Sequence, residues 1–206
     1  MVEQLHLRSI SFDTSFLLKD DYRVDEIINV LARDNVHCFI TSTVASELEQ
    51  LKVWGRITQS EYKTAMKRLT HVHTTVIDFK NRLLADAFEQ ACVRSMGVHH
   101  GVRSPDIIND CSIIVSALKN GVDLFLSEDF HFTSAITKDV ITEVTSAACT
   151  EYHQMCNTVM YSVDTSTFLE AYQHGTIDLD IVRARIQTIQ KKEKRLGQPW
   201  TLKLIS

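Results

Sequence analysis

Between Ser104 and Leu126 the chain spells out a helix, its stop and an apolar strand with no residues to spare, and this run most restricts the fold. Ser104 is a natural N-cap, Pro105 suits a first helical position that needs no N–H, and Asp106 favours the positive end of the helix dipole. Ile107, Cys111, Ile114, Val115 and Leu118 then recur at helical spacing. Gly121 closes the helix, and Val122 to Leu126 follows at once as a strand. An amphipathic helix feeding straight into an apolar strand is the building unit of a parallel sheet.

The rest of the chain repeats that alternation. The patterning predicts strands at Leu7 to Phe12, Val36 to Thr41, Thr74 to Ile77 and Thr158 to Val163. It predicts helices at Val24 to Arg33, through Val44, Leu48 and Leu51, at Thr58 to Leu69, at Phe79 to Met96 with Gly97 as terminator, at Lys138 to Tyr152 and at Thr167 to Gln173. Thr58 and Glu61 have the spacing of a capping box. The expected class is α/β, with three α/β/α layers and a mainly parallel central sheet. Residues 1–175 form the expected domain, with 133–157 as a helical insertion. Residues 176–206 form a helical C-terminal extension carrying an amphipathic helix from Ile181 to Lys194.

With 206 residues the chain can bury a sizeable core without crosslinks. Its five cysteines include no Cys-x-x-Cys pair, which argues against a zinc site. Cys38 and Cys111 sit in apolar runs and read as small core residues. His99-His100 reads as a surface pair. The start lacks a basic region followed by a long apolar run, and no span is apolar enough for a membrane. A reducing cytoplasm is therefore the expected compartment. The formal net charge of −4 speaks against a broadly basic nucleic-acid coat and leaves room for local patches, including the tail from Arg183 to Arg195.

Four acidic residues stand where strands give way to helices or on the inner borders of helices: Asp13, Glu47, Asp110 and Asp129. In a parallel sheet, ligands bind beyond the carboxyl ends of the strands, so these four segments are able to meet there. Carboxylates gathered in one place repel one another unless a cation lies between them. The expected cofactor is a hard divalent ion, Mg²⁺ or Mn²⁺. Lys52, Arg56 and Arg103 flank the acidic segments and are the candidate contacts for a phosphate backbone. An Asp-nucleophile phosphatase fits less well, because Asp13-Thr14-Ser15 lacks the second acid of an Asp-x-Asp arrangement.

The acidic segments in this order resemble the PIN domain family, the nuclease fold found in many bacterial and archaeal toxin ribonucleases. Asp13-Thr14-Ser15-Phe16-Leu17-Leu18 resembles its opening Asp-Thr-Ser and apolar pair. Ser46-Glu47-Leu48 resembles the second segment, and Asp110-x-x-Ile113-x-x-x-Ala117 the third. Leu126-Ser127-Glu128-Asp129-Phe130-His131-Phe132 is similar to the last. The motifs cover residues 7–132. His131 departs from the pattern, since the family often has another Asp there.

The resemblance implies a PIN-like fold and metal-dependent hydrolysis of RNA phosphodiester bonds. Asp13, Glu47, Asp110 and Asp129 would be catalytic metal ligands, with Thr14, Ser127 and Asp106 as supporting residues. It further implies an RNA substrate, a partner antitoxin and a homodimer. The rival expectation is a catalytically weak PIN-like protein that binds RNA or serves assembly. Glu128 is expected to face away from Asp129, because neighbours on an extended segment alternate sides.

Overall fold

The computed structural model describes residues 3–100 and 104–186, apart from the side chains of residues 99–100, 104–106 and 135–136. In chain order the elements begin with β1 (Gln4–His6), β2 (Ser9–Phe12), α1 (Thr14–Leu18), α2 (Tyr22–Arg33), β3 (His37–Thr41) and α3 (Ser42–Val53). They continue with α4 (Gln59–His71), β4 (Thr75–Ile77), α5 (Arg82–His100), α6 (Ser104–Lys119) and β5 (Leu124–Leu126). The last are α7 (Phe130–Thr133), α8 (Ala135–Tyr152), β6 (Tyr161–Val163), α9 (Thr165–Ala171), β7 (Tyr172–Gln173) and β8 (Thr176–Asp178). A further helix begins at residue 179 and is described to 186, so the expected helix from Ile181 to Lys194 lies partly outside the described residues.

Five strands form one parallel sheet in the order β4-β3-β2-β5-β6. The central strand β2 is buried along its whole length, as both faces of a parallel sheet must be when helices cover them. α1, α3 and α4 pack together, with α2 against α4 and α9, whereas α5, α6 and α8 form a second group. The arrangement is α/β and consistent with three α/β/α layers. The order turns back between β2 and β5. Successive crossovers run outward to β3 and β4 in one direction, then return past β2 to β5 and β6. That reversal makes the carboxyl ends of β2 and β5 the topological switch point, the place where sheets of this kind bind ligands.

Local chemistry accounts for most boundaries. Thr41 caps α3 by accepting from Val44 N at 3.2 Å, and the Thr58–Glu61 box caps α4 from both sides. Asp164 caps α9 through Thr167 N at 2.6 Å. Gly121 adopts φ +67°, the left-handed turn that separates α6 from β5. Gly97 does not terminate α5, which continues to His100. A helix interior tolerates one glycine when its buried face is as continuous as that of Ala85, Phe88, Cys92 and Met96.

Residues 133–157 hold α8, which lies on α5, α6 and β6 as part of the second helical group. Residues 176–178, at the start of the expected extension, are β8. It pairs antiparallel with β1 and β7 in a small second sheet and buries Ile177 completely.

The cysteine reading needs correction. Cys111 is buried, but bonded to Cys92 across α5 and α6, and Cys149 is bonded to Cys156 beyond the end of α8. Of the five, only Cys38 is a free core thiol. Both bonds join residues that the fold brings together, with Cα atoms 5.6 and 4.6 Å apart, so sequence spacing could not reveal them. Among the described residues, no helix is long and apolar enough to cross a membrane.

Candidate acidic site

Asp13 follows β2 directly and caps α1, with its side chain accepting from Ser15 N at 3.2 Å and from Ser15 Oγ. Its backbone N donates to Leu126 O at 2.9 Å, which fixes it against the end of β5. Ser127, the next residue on that side, donates from Oγ to Asp13 Oδ2 at 2.9 Å. The Ser127 oxygen also accepts from Asp129 N at 2.9 Å. One buried hydroxyl therefore links the residues that follow the two central strands.

Glu47 reaches this corner from α3. Thr14 Oγ1 donates to Glu47 Oε2 at 2.5 Å, so the residue beside Asp13 holds the second carboxylate. Thr43 and Ser112 hydroxyls, 3.1 Å apart, tie α3 to α6. On α6, half-buried Asp110 meets His131 Nδ1 at 3.2 Å. Asp129 caps α7 by accepting from His131 N at 2.8 Å, and its Oδ1 lies 3.9 Å from His131 Nδ1. The four acids thus fall into two neighbouring pairs: Asp13 with Glu47, and Asp110 with Asp129 on either side of His131. Ser127 joins the pairs.

The electrostatics of the first pair are unusual. Asp13 is only 4% exposed, and burial pushes its carboxyl up to about 6, with the charge of Glu47 adding to the rise. The hydrogen bonds from Ser15 and Ser127 act in the opposite direction and do not cancel it. Among the described residues no lysine or arginine forms an ion pair with Asp13 or Glu47. His131 is raised, first by its hydrogen bond to Asp110 and then by the charges of Asp129 and Asp110, with burial opposing.

The donor chemistry fits a hard divalent ion: carboxylate oxygens, a buried acid with no cationic partner among the described residues, and hydroxyls that orient two of the acids. The spacing is looser. Among the described residues no three His, Cys, Asp or Glu side chains stand close enough together to hold a metal ion as they are. Asp110 is already engaged by His131.

Glu128 points away from this corner. Its Oε1 accepts from Thr165 N at 2.9 Å and from Thr165 Oγ1, and its Oε2 from Lys19 Nζ at 2.6 Å. It ties α1 to the start of α9. Lys52 also faces elsewhere: its ammonium is 3.5 Å from Glu49 Oε2 and 4.1 Å above the Tyr62 ring. Arg56 is exposed just beyond α3. Arg103, the side chain of Asp106 and the tail beyond residue 186 lie outside the described residues.

Two participants were not singled out from sequence. Ser15 bridges Asp13, Ser127 and the Glu128 N–H; the Asp-x-Ser spacing of an Asp-capped turn is its only local signal. His131 occupies the space between two acids, where the sequence showed only a missing Asp. Comparison with protein-family models, curated proteins and solved structures found no match.

Proposed function

We propose that the chain is a PIN-like, metal-dependent endoribonuclease that hydrolyses RNA phosphodiester bonds. The observation that carries this reading is the buried Asp13 carboxylate. It sits with Glu47 at the carboxyl end of a parallel sheet, is held among the described residues by the neutral donors Ser15 and Ser127, and lies one hydroxyl from the Asp129 segment. A carboxylate without a cation in such a place is a site prepared for one. Asp13, Glu47, Asp110 and Asp129 would hold Mg²⁺ or Mn²⁺. The ion would supply an acidified water and neutralise charge on the reacting phosphate. Ser127 and Ser15 hold Asp13, and Thr14 holds Glu47, so both acids keep one orientation. A recessed acid such as Asp13 is reached more easily by an unpaired strand than by a duplex.

A second reading has its own support. His131 between Asp110 and Asp129, with no ready group of three ligands, favours a catalytically weak PIN-like protein that binds RNA or serves assembly. A partner antitoxin and a homodimer belong to the toxin version of the nuclease reading. A cytoplasmic setting would keep Cys92, Cys111, Cys149 and Cys156 as thiols, whereas their pairing suits an oxidising compartment.

The deciding experiment is cleavage of mixed RNA and DNA in Mg²⁺ or Mn²⁺ by the wild type and by Asp13→Asn. RNA cleavage that needs the ion and disappears in the variant supports the nuclease. Ion-dependent RNA binding without cleavage supports the second reading.

A further inference from the structure

Trp54 is 66% exposed, a large apolar surface to leave in water. It is also firmly placed. Trp54 is the C-cap of α3, and Gly55 turns the chain with φ +65°. Gly55 N donates to Lys52 O at 3.1 Å, and Arg56 N to Leu51 O at 2.8 Å. These two bonds form the paired closure of a Schellman turn, so the indole stands on a fixed helix end.

Its position on α3 matters more. Thr43, Glu47 and Trp54 are spaced by four and seven residues, which aligns them along one ridge of the helix. Glu47 points to Thr14 beside Asp13. Trp54 lies two turns farther along the same ridge, about 10 Å by helical rise. Arg56 follows the turn and is exposed. An exposed aromatic followed two residues later by an exposed arginine supplies, on one helix end, the two kinds of group that receive an unpaired base and its phosphate.

We infer that Trp54 and Arg56 form a stacking platform for one base of a single-stranded RNA whose backbone runs along the α3 ridge toward Glu47. The platform rests on the nuclease reading only for the substrate that is bound. Every base has a π face, so the contact sets the path and register of the strand without choosing its sequence. Arg56 contributes the phosphate contact, and Lys52, held by Glu49 and Tyr62, does not.

The test uses the full chain with Asp129→Asn to prevent turnover and Trp200→Phe to leave Trp54 as the sole tryptophan. A short oligouridylate is titrated in Mg²⁺ while Trp54 emission is followed, with an RNA duplex as control. Saturable quenching by the single strand and not by the duplex is expected. Fluorescence anisotropy of labelled oligouridylate should show Trp54→Ala weakening binding about ten-fold, with Trp54→Phe recovering part of the loss. Arg56→Ala should lower the salt slope of binding by about one. Unchanged emission with unchanged affinity in Trp54→Ala overturns the platform. So does a Trp54→Ala variant altered only in self-association by sedimentation, which assigns the residue to a protein interface. Quenching with no cleavage by the wild type would remove the nuclease reading and keep the platform. Cleavage by the wild type with no effect of Trp54→Ala would do the reverse.

Discussion

Ser127 Oγ donates to Asp13 Oδ2 at 2.9 Å and accepts from Asp129 N at the same distance. Through this hydroxyl the acid after β2 and the acid after β5 share one anchor, although 114 residues separate Asp13 from Ser127. The hydroxyl thus holds the carboxylate of Asp13 and the backbone of Asp129. The candidate site is therefore organised from below, by the ends of the two central strands.

Asp13 makes the metal-free protein sensitive to pH. Its folded value, about 6, lies above the ordinary 3.8, so the folded state holds the proton more tightly than the unfolded chain. The stabilisation is full below about 4 and is lost as pH rises through about 6. Asp13→Asn should remove that fall and make the metal-free protein about 1–3 kcal/mol more stable than wild type at neutral pH. Urea unfolding of both proteins from acid to neutral pH, in chelator, measures it. A parallel pH dependence in the two proteins would remove the buried-acid account.

Asp129→Asn should lower ion-dependent RNA cleavage by about a hundred-fold or more while leaving the circular dichroism spectrum intact. Glu128→Gln is the comparison. It weakens the pairing with Lys19 and the grip on Thr165, so it should cost about 1 kcal/mol of stability and little activity. Activity lost equally in both variants would take Asp129 out of the catalytic set.

His131 holds the Asp110 carboxylate at 3.2 Å and would compete with any cation proposed to bind there. Its proton is held above the ordinary histidine range by that hydrogen bond, so its contribution to stability is present at low pH and lost as pH rises through the raised value. Mn²⁺ affinity measured by calorimetry should rise over the same interval. His131→Asp supplies an acid in place of the competitor and should tighten Mn²⁺ binding several-fold. Equal affinity in wild type and variant across pH would show that the ion does not use Asp110.

The bond between Cys92 and Cys111 spans 19 residues and joins α5 to α6 next to Asp110. Its reduction should cost about 3 kcal/mol by the chain-entropy account. Guanidinium unfolding with and without reductant, beside the Cys92→Ser variant, measures the cost. Reduced wild type and Cys92→Ser should agree, and identical midpoints in oxidised and reduced protein would rule out this crosslink.

The secondary structure around the acids was legible because its signals are local. The Thr58–Glu61 box, the Gly121 turn and the apolar period of α6 act within a few residues, and they predict the alternation that makes a parallel sheet. Glu128 was legible for the same reason, since alternation along an extended segment turns it from Asp129. Gly97 misled because a local breaker yields to the burial of α5.

The amino-acid order by itself determined the alternating elements, the placement of Asp13 and Asp129 just past strand ends, and a Glu128 turned away from Asp129. Tertiary structure alone decided the rest. It seated His131 between Asp110 and Asp129, paired Cys92 with Cys111, and turned Lys52 to Tyr62. Those relations depend on which helices share a layer and how the strand order reverses between β2 and β5. A local propensity is felt over a turn or two, whereas a contact across the sheet exists only after the core has chosen its register.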